Sequence, residues 1–215
     1  MSISQLNESQ KAAVMYNEGP SLVIAGAGSG KTRVLTYKIT YLLEVVGLKP
    51  YQIMALTFTN KAAREMKDRI AQMVGPEKAQ YLAMGTFHAQ FSKLLRTESA
   101  HIGLPSNFTV YDTADAKNLI KAIVKEMQLD EKIYKPSVVL SRISSAKNKM
   151  VMPQQYDDAH GRSVDFMMHI PKVKEIYAEY QRRLRQAGAM DFDDMLCLTN
   201  QLFIEHPDVL EKYQN

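Results

Sequence analysis

With 215 residues, 46% hydrophobic and 23% charged, the chain has enough apolar material for one or two folded domains, and that composition excludes a disordered polypeptide. A formal charge of +4 and a pI near 9.0 permit an anionic partner such as nucleic acid without requiring one. One cysteine, Cys197, excludes an internal disulfide or a thiolate-rich metal cluster; the polar start MSISQLNESQ lacks a signal-peptide core and no apolar run reaches membrane-spanning length, so a soluble cytoplasmic protein is expected.

In chain order, residues 6–14, LNESQKAAV, are capped-helix material. Residues 22–25 read as a short buried strand, and residues 31–46 as a helix with Val34, Ile39, Leu42 and Leu43 on its apolar face. Residues 53–59, IMALTFT, form a second apolar run of strand length. Residues 60–73 repeat Ala62, Met66, Ile70 and Met73 at helical spacing. A third strand is expected at 81–87, with a helix after it. This alternation predicts an α/β fold whose parallel strands are joined by helical crossovers.

The pattern changes near residue 106. Helices are predicted within 113–128, 135–149 and 167–186, and no strand of comparable strength appears; FTVYD, ending at Asp112, is short and polar for a central strand. We read 1–105 as the first part of a nucleotide-binding domain, 106–188 as a helical insertion and 189–215 as a return into the first domain. The insertion carries 14 Lys and Arg against 10 Asp and Glu, enough to face a phosphate backbone. In the last part a capped helix is predicted from Asp191 and another from Pro207.

The chemistry concentrates in AGAGSGKT, residues 25–32. Such a turn between a strand and a helix wraps backbone amides around phosphate oxygens at a helix N-terminus. Ala25, Gly26, Ala27, Gly28, Ser29 and Gly30 form the cradle, Lys31 reaches the β and γ phosphates, and Thr32 supplies a hydroxyl to Mg²⁺. The generic motif begins with Gly where this loop has Ala25. Gln10 is either an exposed helix residue or a recogniser of an adenine edge, and Arg33 either an ordinary helix cation or a nucleotide contact. Phe58 and Phe87 read first as core aromatics. Thr59 and Asn60 suit a helix cap, and His88 a structural histidine. Asp191, Asp193 and Asp194 suit a helix start better than a metal site. Cys197, Tyr177, Tyr180 and Leu184 read as packing.

Taken together, LNESQKAAV, AGAGSGKTRVL, ALTFTNKAAREMKDRI, MGTFHAQFSKLLR and DFDDML resemble, in order and over essentially the whole chain, the amino-terminal part of UvrD/Rep-type superfamily 1 DNA helicases. The resemblance implies a RecA-like P-loop NTPase domain interrupted by a mostly helical domain, in an ATP- and Mg²⁺-dependent enzyme that moves 3′ to 5′ on single-stranded DNA and opens duplex at single-strand/duplex junctions. It also implies that Gln10 recognises adenine and that Arg33 contacts nucleotide. Phe58, Thr59 and Asn60, with Thr86, Phe87 and His88, would face the DNA. Another P-loop NTPase would leave these ordered threonine-rich segments without a role, whereas a non-catalytic DNA-binding adaptor would use the positive helical region and treat the P-loop as residual.

Hydrolysis also needs an apolar strand ending in acid to place Mg²⁺ and activate water. Neither FTVYD nor GAMDFDD fits, and the resemblance places that strand after residue 215. The segment is therefore expected to bind nucleotide weakly and to lack robust turnover. A sheet short of a strand also leaves backbone and apolar surface uncovered. A partly open or self-associated first domain is the expected outcome, self-association being seen as mass rising with concentration in light scattering; a constant monomer mass would argue against association.

Overall fold

The computed structural model describes residues 3–214. The chain divides into two compact units, Met1–Gln90 and Phe91–Asn215. In the first unit, α1 (Glu8–Met15) opens with a reciprocal cap: Gln10 N–H donates to Asn7 Oδ1 at 2.8 Å, and Asn7 N–H to Gln10 Oε1 at 3.1 Å. The glycine loop leads into α2 (Lys31–Glu44). Then come β1 (Met54–Thr57), α3 (Asn60–Val74), the single turn α4 (Pro76–Ala79) and β2 (Ala83–Thr86), followed by α5 (Phe87–Thr97), which continues into the second unit.

The two strands pair in parallel from Met54↔Ala83 to Thr57↔Thr86. Parallel neighbours cannot be joined by a tight turn, and α3 supplies the crossover. Ile39 and Leu43 of α2 and Met66 and Ile70 of α3 pack with Ile53, Ala55 and Leu82 in one core. The strands read at 53–59 and 81–87 and the helix between them are thus formed, with shorter strands.

Residues 22–25 depart from expectation. They form no strand, and Leu22 and Ile24 are 87% and 90% exposed. An apolar run of this kind needs ladder partners and cover on both faces. Here β1 and β2 pair with each other, and among the described residues no strand pairs with 22–25.

The second unit contains β3 (Thr109–Tyr111), α6 (Thr113–Glu126), α7 (Pro136–Lys147), α8 (Arg162–Met167), α9 (Val173–Gln186), β4 (Ala189–Asp191), α10 (Phe192–Glu205) and α11 (Pro207–Gln214). Neither β3 nor β4 was expected from the residue pattern. Three residues are too few to show a period, and their stability comes from parallel pairing with each other across the intervening helices, Thr109↔Ala189 to Tyr111↔Asp191. The helices between them therefore leave and return at adjacent points. Ile120, Ile123, Val139, Ile143, Ile176, Tyr177, Tyr180 and Leu184 build their core, so the tyrosines of α9 do pack.

Asp191 caps α10, accepting from Asp194 N–H at 2.9 Å. The same carboxylates hold a buried cation that the sequence did not announce. Lys147, 1% exposed, reaches Asp191 Oδ2 at 2.7 Å and Asp194 Oδ1 at 2.8 Å, while Tyr180 donates to Asp191 Oδ2 at 2.8 Å. Desolvation opposes both negative charges. At Asp191 the Lys147 ammonium and hydrogen bonds outweigh it and the pKa is lowered; at Asp194 burial prevails over Lys147 and the pKa is raised. Cys197 is buried beside this cluster and its thiol donates to Lys147 O at 3.2 Å; burial pushes its pKa up to about 11.

Lys147→Met leaves two buried carboxylates with no cation. A loss of about 3–5 kcal/mol is expected in denaturant unfolding at neutral pH. The folded carboxylates of the variant then titrate above their unfolded values, so the native state holds more protons and the deficit shrinks as pH falls. A deficit independent of pH would contradict the pairing.

Candidate nucleotide and nucleic-acid sites

The glycine loop adopts backbone conformations that its residues dictate. Gly28 and Gly30 have φ of +75° and +84°, the left-handed region that side chains disfavour. A Cβ on Gly30 would also lie 3.1 Å from Gln10 Nε2. Ser29 Oγ closes the turn on Gly26 O at 2.7 Å, and Lys31 Nζ lies back across it, donating to Ala25 O at 3.0 Å and Gly26 O at 2.7 Å. The first turn of α2 holds no acidic side chain and has no side-chain cap. Its free amides therefore suit an anion.

Gln10 joins this loop from α1, donating from Nε2 to Ser29 O at 3.0 Å. Its amide is pinned by Ser29 O and Asn7 N–H, which leaves one N–H and one lone pair of the carbonyl for another partner. A cavity of about 610 Å³ opens here, lined by Gln10, Ala25, Gly26, Ser29, Lys31 and Lys38 among others. Ala27, Gly28, Gly30, Thr32 and Arg33 do not line it. Thr32 is exposed in the first turn of α2. Arg33 is turned to the chain preceding α1, where it donates to Gln5 O at 3.0 Å and Gln5 Oε1 at 3.2 Å.

Sequence reasoning passed over Lys38. It lies seven residues after Lys31 on α2, two helical turns along the same face, and that spacing was the available signal. Its ammonium donates to Val14 O at 3.0 Å, to Tyr16 O and to Asn17 Oδ1 at 2.5 Å. Desolvation holds its pKa below the usual lysine value.

The other predicted residues gather at the carboxyl ends of β1 and β2. Because Thr57 is level with Thr86, residues 58–60 and 87–88 leave the ladder side by side. Phe58 is 95% exposed and Phe87 is also exposed, so the core reading of these rings does not hold. Thr59 Oγ1 accepts from Ala62 N–H at 3.1 Å and caps α3, while Thr86 Oγ1 accepts from Ala89 N–H at 3.2 Å at the start of α5. Asn60 is exposed and His88 half-buried. Behind them, Gly85 admits the buried Gln90; a Cβ there would fall 2.6 Å from Gln90 Nε2. Ligands of open parallel sheets bind at the carboxyl ends of strands.

A phosphate-type glycine loop and two polar, aromatic strand ends thus lie in an α/β unit built on a parallel ladder. The profile of the UvrD/REP helicase N-terminal domain matches residues 6–215, and the chain belongs to that family. It is 43% identical over 213 residues to the ATP-dependent DNA helicase PcrA of Staphylococcus aureus and 44% identical over 213 residues to that of Staphylococcus epidermidis. These matches cover 99% of this chain and 28% of each relative, so the chain spans little more than a quarter of their length.

Thr59→Ala removes the cap of α3 and should cost about 1 kcal/mol in chemical unfolding, whereas Thr59→Ser should retain most of it. Equal losses in both variants would show that the hydroxyl is not the stabilising group.

Proposed function

We propose that the chain is the nucleotide-binding, DNA-facing part of an ATP-dependent helicase that translocates 3′ to 5′ on single-stranded DNA in repair or replication. The observation that carries this reading is the register of the parallel pair, which sets Phe58, Thr59 and Asn60 beside Phe87 and His88 at one strand end. Exposed rings stack on bases without choosing among them, and hydroxyl and amide groups hold phosphate or sugar. The ATP site on this reading is the loop at 25–32. Lys31 exchanges the carbonyls of Ala25 and Gly26 for phosphate oxygens, and the amides of α2 face the same charge. Adenine takes the remaining N–H and lone pair of Gln10. Arg33, to contact nucleotide, would have to leave Gln5.

Thr32 would give Mg²⁺ one hydroxyl ligand, and the ion would supply charge neutralisation at the phosphates. The exposed first-turn position of Thr32 fits that role. No carboxylate is among the described residues lining the cavity. Because the chain spans little more than a quarter of its relatives' length, we infer that by itself it binds nucleotide weakly without robust turnover. The same reading makes 106–188 an insertion in a RecA-like domain to which 189–215 returns. Adjacent parallel pairing of β3 and β4 at the two ends of that excursion supports it.

Strand displacement by the full-length polypeptide tests the function. ATP-dependent opening of 3′-tailed but not 5′-tailed duplex is expected, and opening of 5′-tailed duplex alone would overturn the polarity. Phe58→Ala should weaken single-stranded DNA binding by about 1–3 kcal/mol while shifting stability by less than about 0.5 kcal/mol, as for a surface change. Unchanged DNA affinity would remove Phe58 from the interface.

A further inference from the structure

Helix α1 has little of its own to hold it in place. It is eight residues long, Val14 is its buried residue, and its last turn contains no basic side chain. Isolated helices shorter than about 12 residues are marginal in water. Its position therefore rests on what anchors it, and those anchors come from α2 and the loop before it. Arg33 and Tyr37 hold Gln5 just ahead of α1, with the Tyr37 hydroxyl 3.1 Å from Gln5 Oε1. Gln10 bonds to Ser29 O at the loop. At the far end, Lys38 gives its three ammonium protons to Val14 O, Tyr16 O and Asn17 Oδ1.

That last contact is both a cap and an electrostatic match. The final carbonyls of a helix lack intrahelical donors and carry the negative end of its dipole. A cation from a neighbouring helix satisfies both. Gln10 and Val14 are one turn apart on the same face, so fixing the carbonyl of Val14 fixes the direction in which Gln10 projects. We propose that Lys38 is a positioning residue for base selection: by tying the C-terminal end of α1 to α2, the helix that begins at the phosphate loop, it keeps the Gln10 amide aligned with the cradle. This rests on the reading of Gln10 as the adenine-recognising residue.

The proposal separates base recognition from phosphate binding. Loss of the Lys38 contacts lets α1 swing while Lys31 and the α2 amides stay in place. ATP then loses its advantage over a nucleotide with another base, whereas general unfolding would weaken both alike.

The test is DNA-stimulated hydrolysis of ATP and GTP by the full-length polypeptide, with thermal unfolding of each variant. Lys38→Met, which keeps the stem and removes the donors, should lower the ATP-over-GTP preference in kcat/KM by about tenfold, the size of a net hydrogen bond, chiefly through the KM for ATP. Asn17→Ala, a milder change that removes one acceptor, should shift the preference in the same direction, and Lys38→Arg should largely restore it. Gln10→Ala is run in parallel. Loss of preference in Gln10→Ala with full preference in both Lys38→Met and Asn17→Ala overturns the role of Lys38 alone. An unchanged preference in Gln10→Ala overturns the adenine reading and this proposal with it.

Discussion

The parallel ladder between β1 and β2 is the constraint on which the proposed DNA-facing surface depends. Side chains alternate along a strand, so a slip of one residue would turn Ala55 out of the core and present the wrong face. With Thr57 level with Thr86, the core side is filled by α2 and α3. Both chains then leave the sheet at the same end. Phe58 and Thr59 on one connection and Phe87 and His88 on the other become neighbours through backbone pairing alone. On the proposed reading, a surface for a long polymer is made from two short connections because the rigid ladder sets their spacing.

Helix α2 has an equivalent role for the proposed nucleotide site. Its N-terminus faces the glycine loop, its flank holds Gln5 through Arg33 and Tyr37, and Lys38 holds the end of α1. The first-turn amides of α2 and the Gln10 amide are therefore referred to one rigid element. In the second unit the Lys147–Asp191–Asp194 cluster ties α7 to the start of α10 in a similar manner, with charge in place of a loop. The local stability gained there is bounded by desolvation, and its larger effect is to penalise any arrangement that separates the partners.

Much of this was legible in the residues. The glycine loop, the helical periods of α2, α3, α6 and α9, the cap at Asp191 and Pro207 at the start of α11 each have a local cause, and local causes leave local patterns. The failures were non-local. Residues 22–25 look like a strand, but strand formation needs a ladder partner. Thr109–Tyr111 does not look like one, yet pairs with residues far along the chain. The environments of Lys147 and Lys38 were likewise set by partners distant in sequence. A lysine's charge is visible in a sequence; whether it meets two aspartates in a core or three oxygens at a helix end is not.

The most direct measurement of the central claim is a double-mutant cycle for single-stranded DNA affinity in the full-length protein, using Phe58→Ala and Phe87→Ala. If the ladder places both rings against one strand of DNA, the two losses should be non-additive, with a coupling of at least about 0.5 kcal/mol, as for residues sharing one partner. Strict additivity, or no loss from either substitution, would contradict a single surface formed at the ends of β1 and β2.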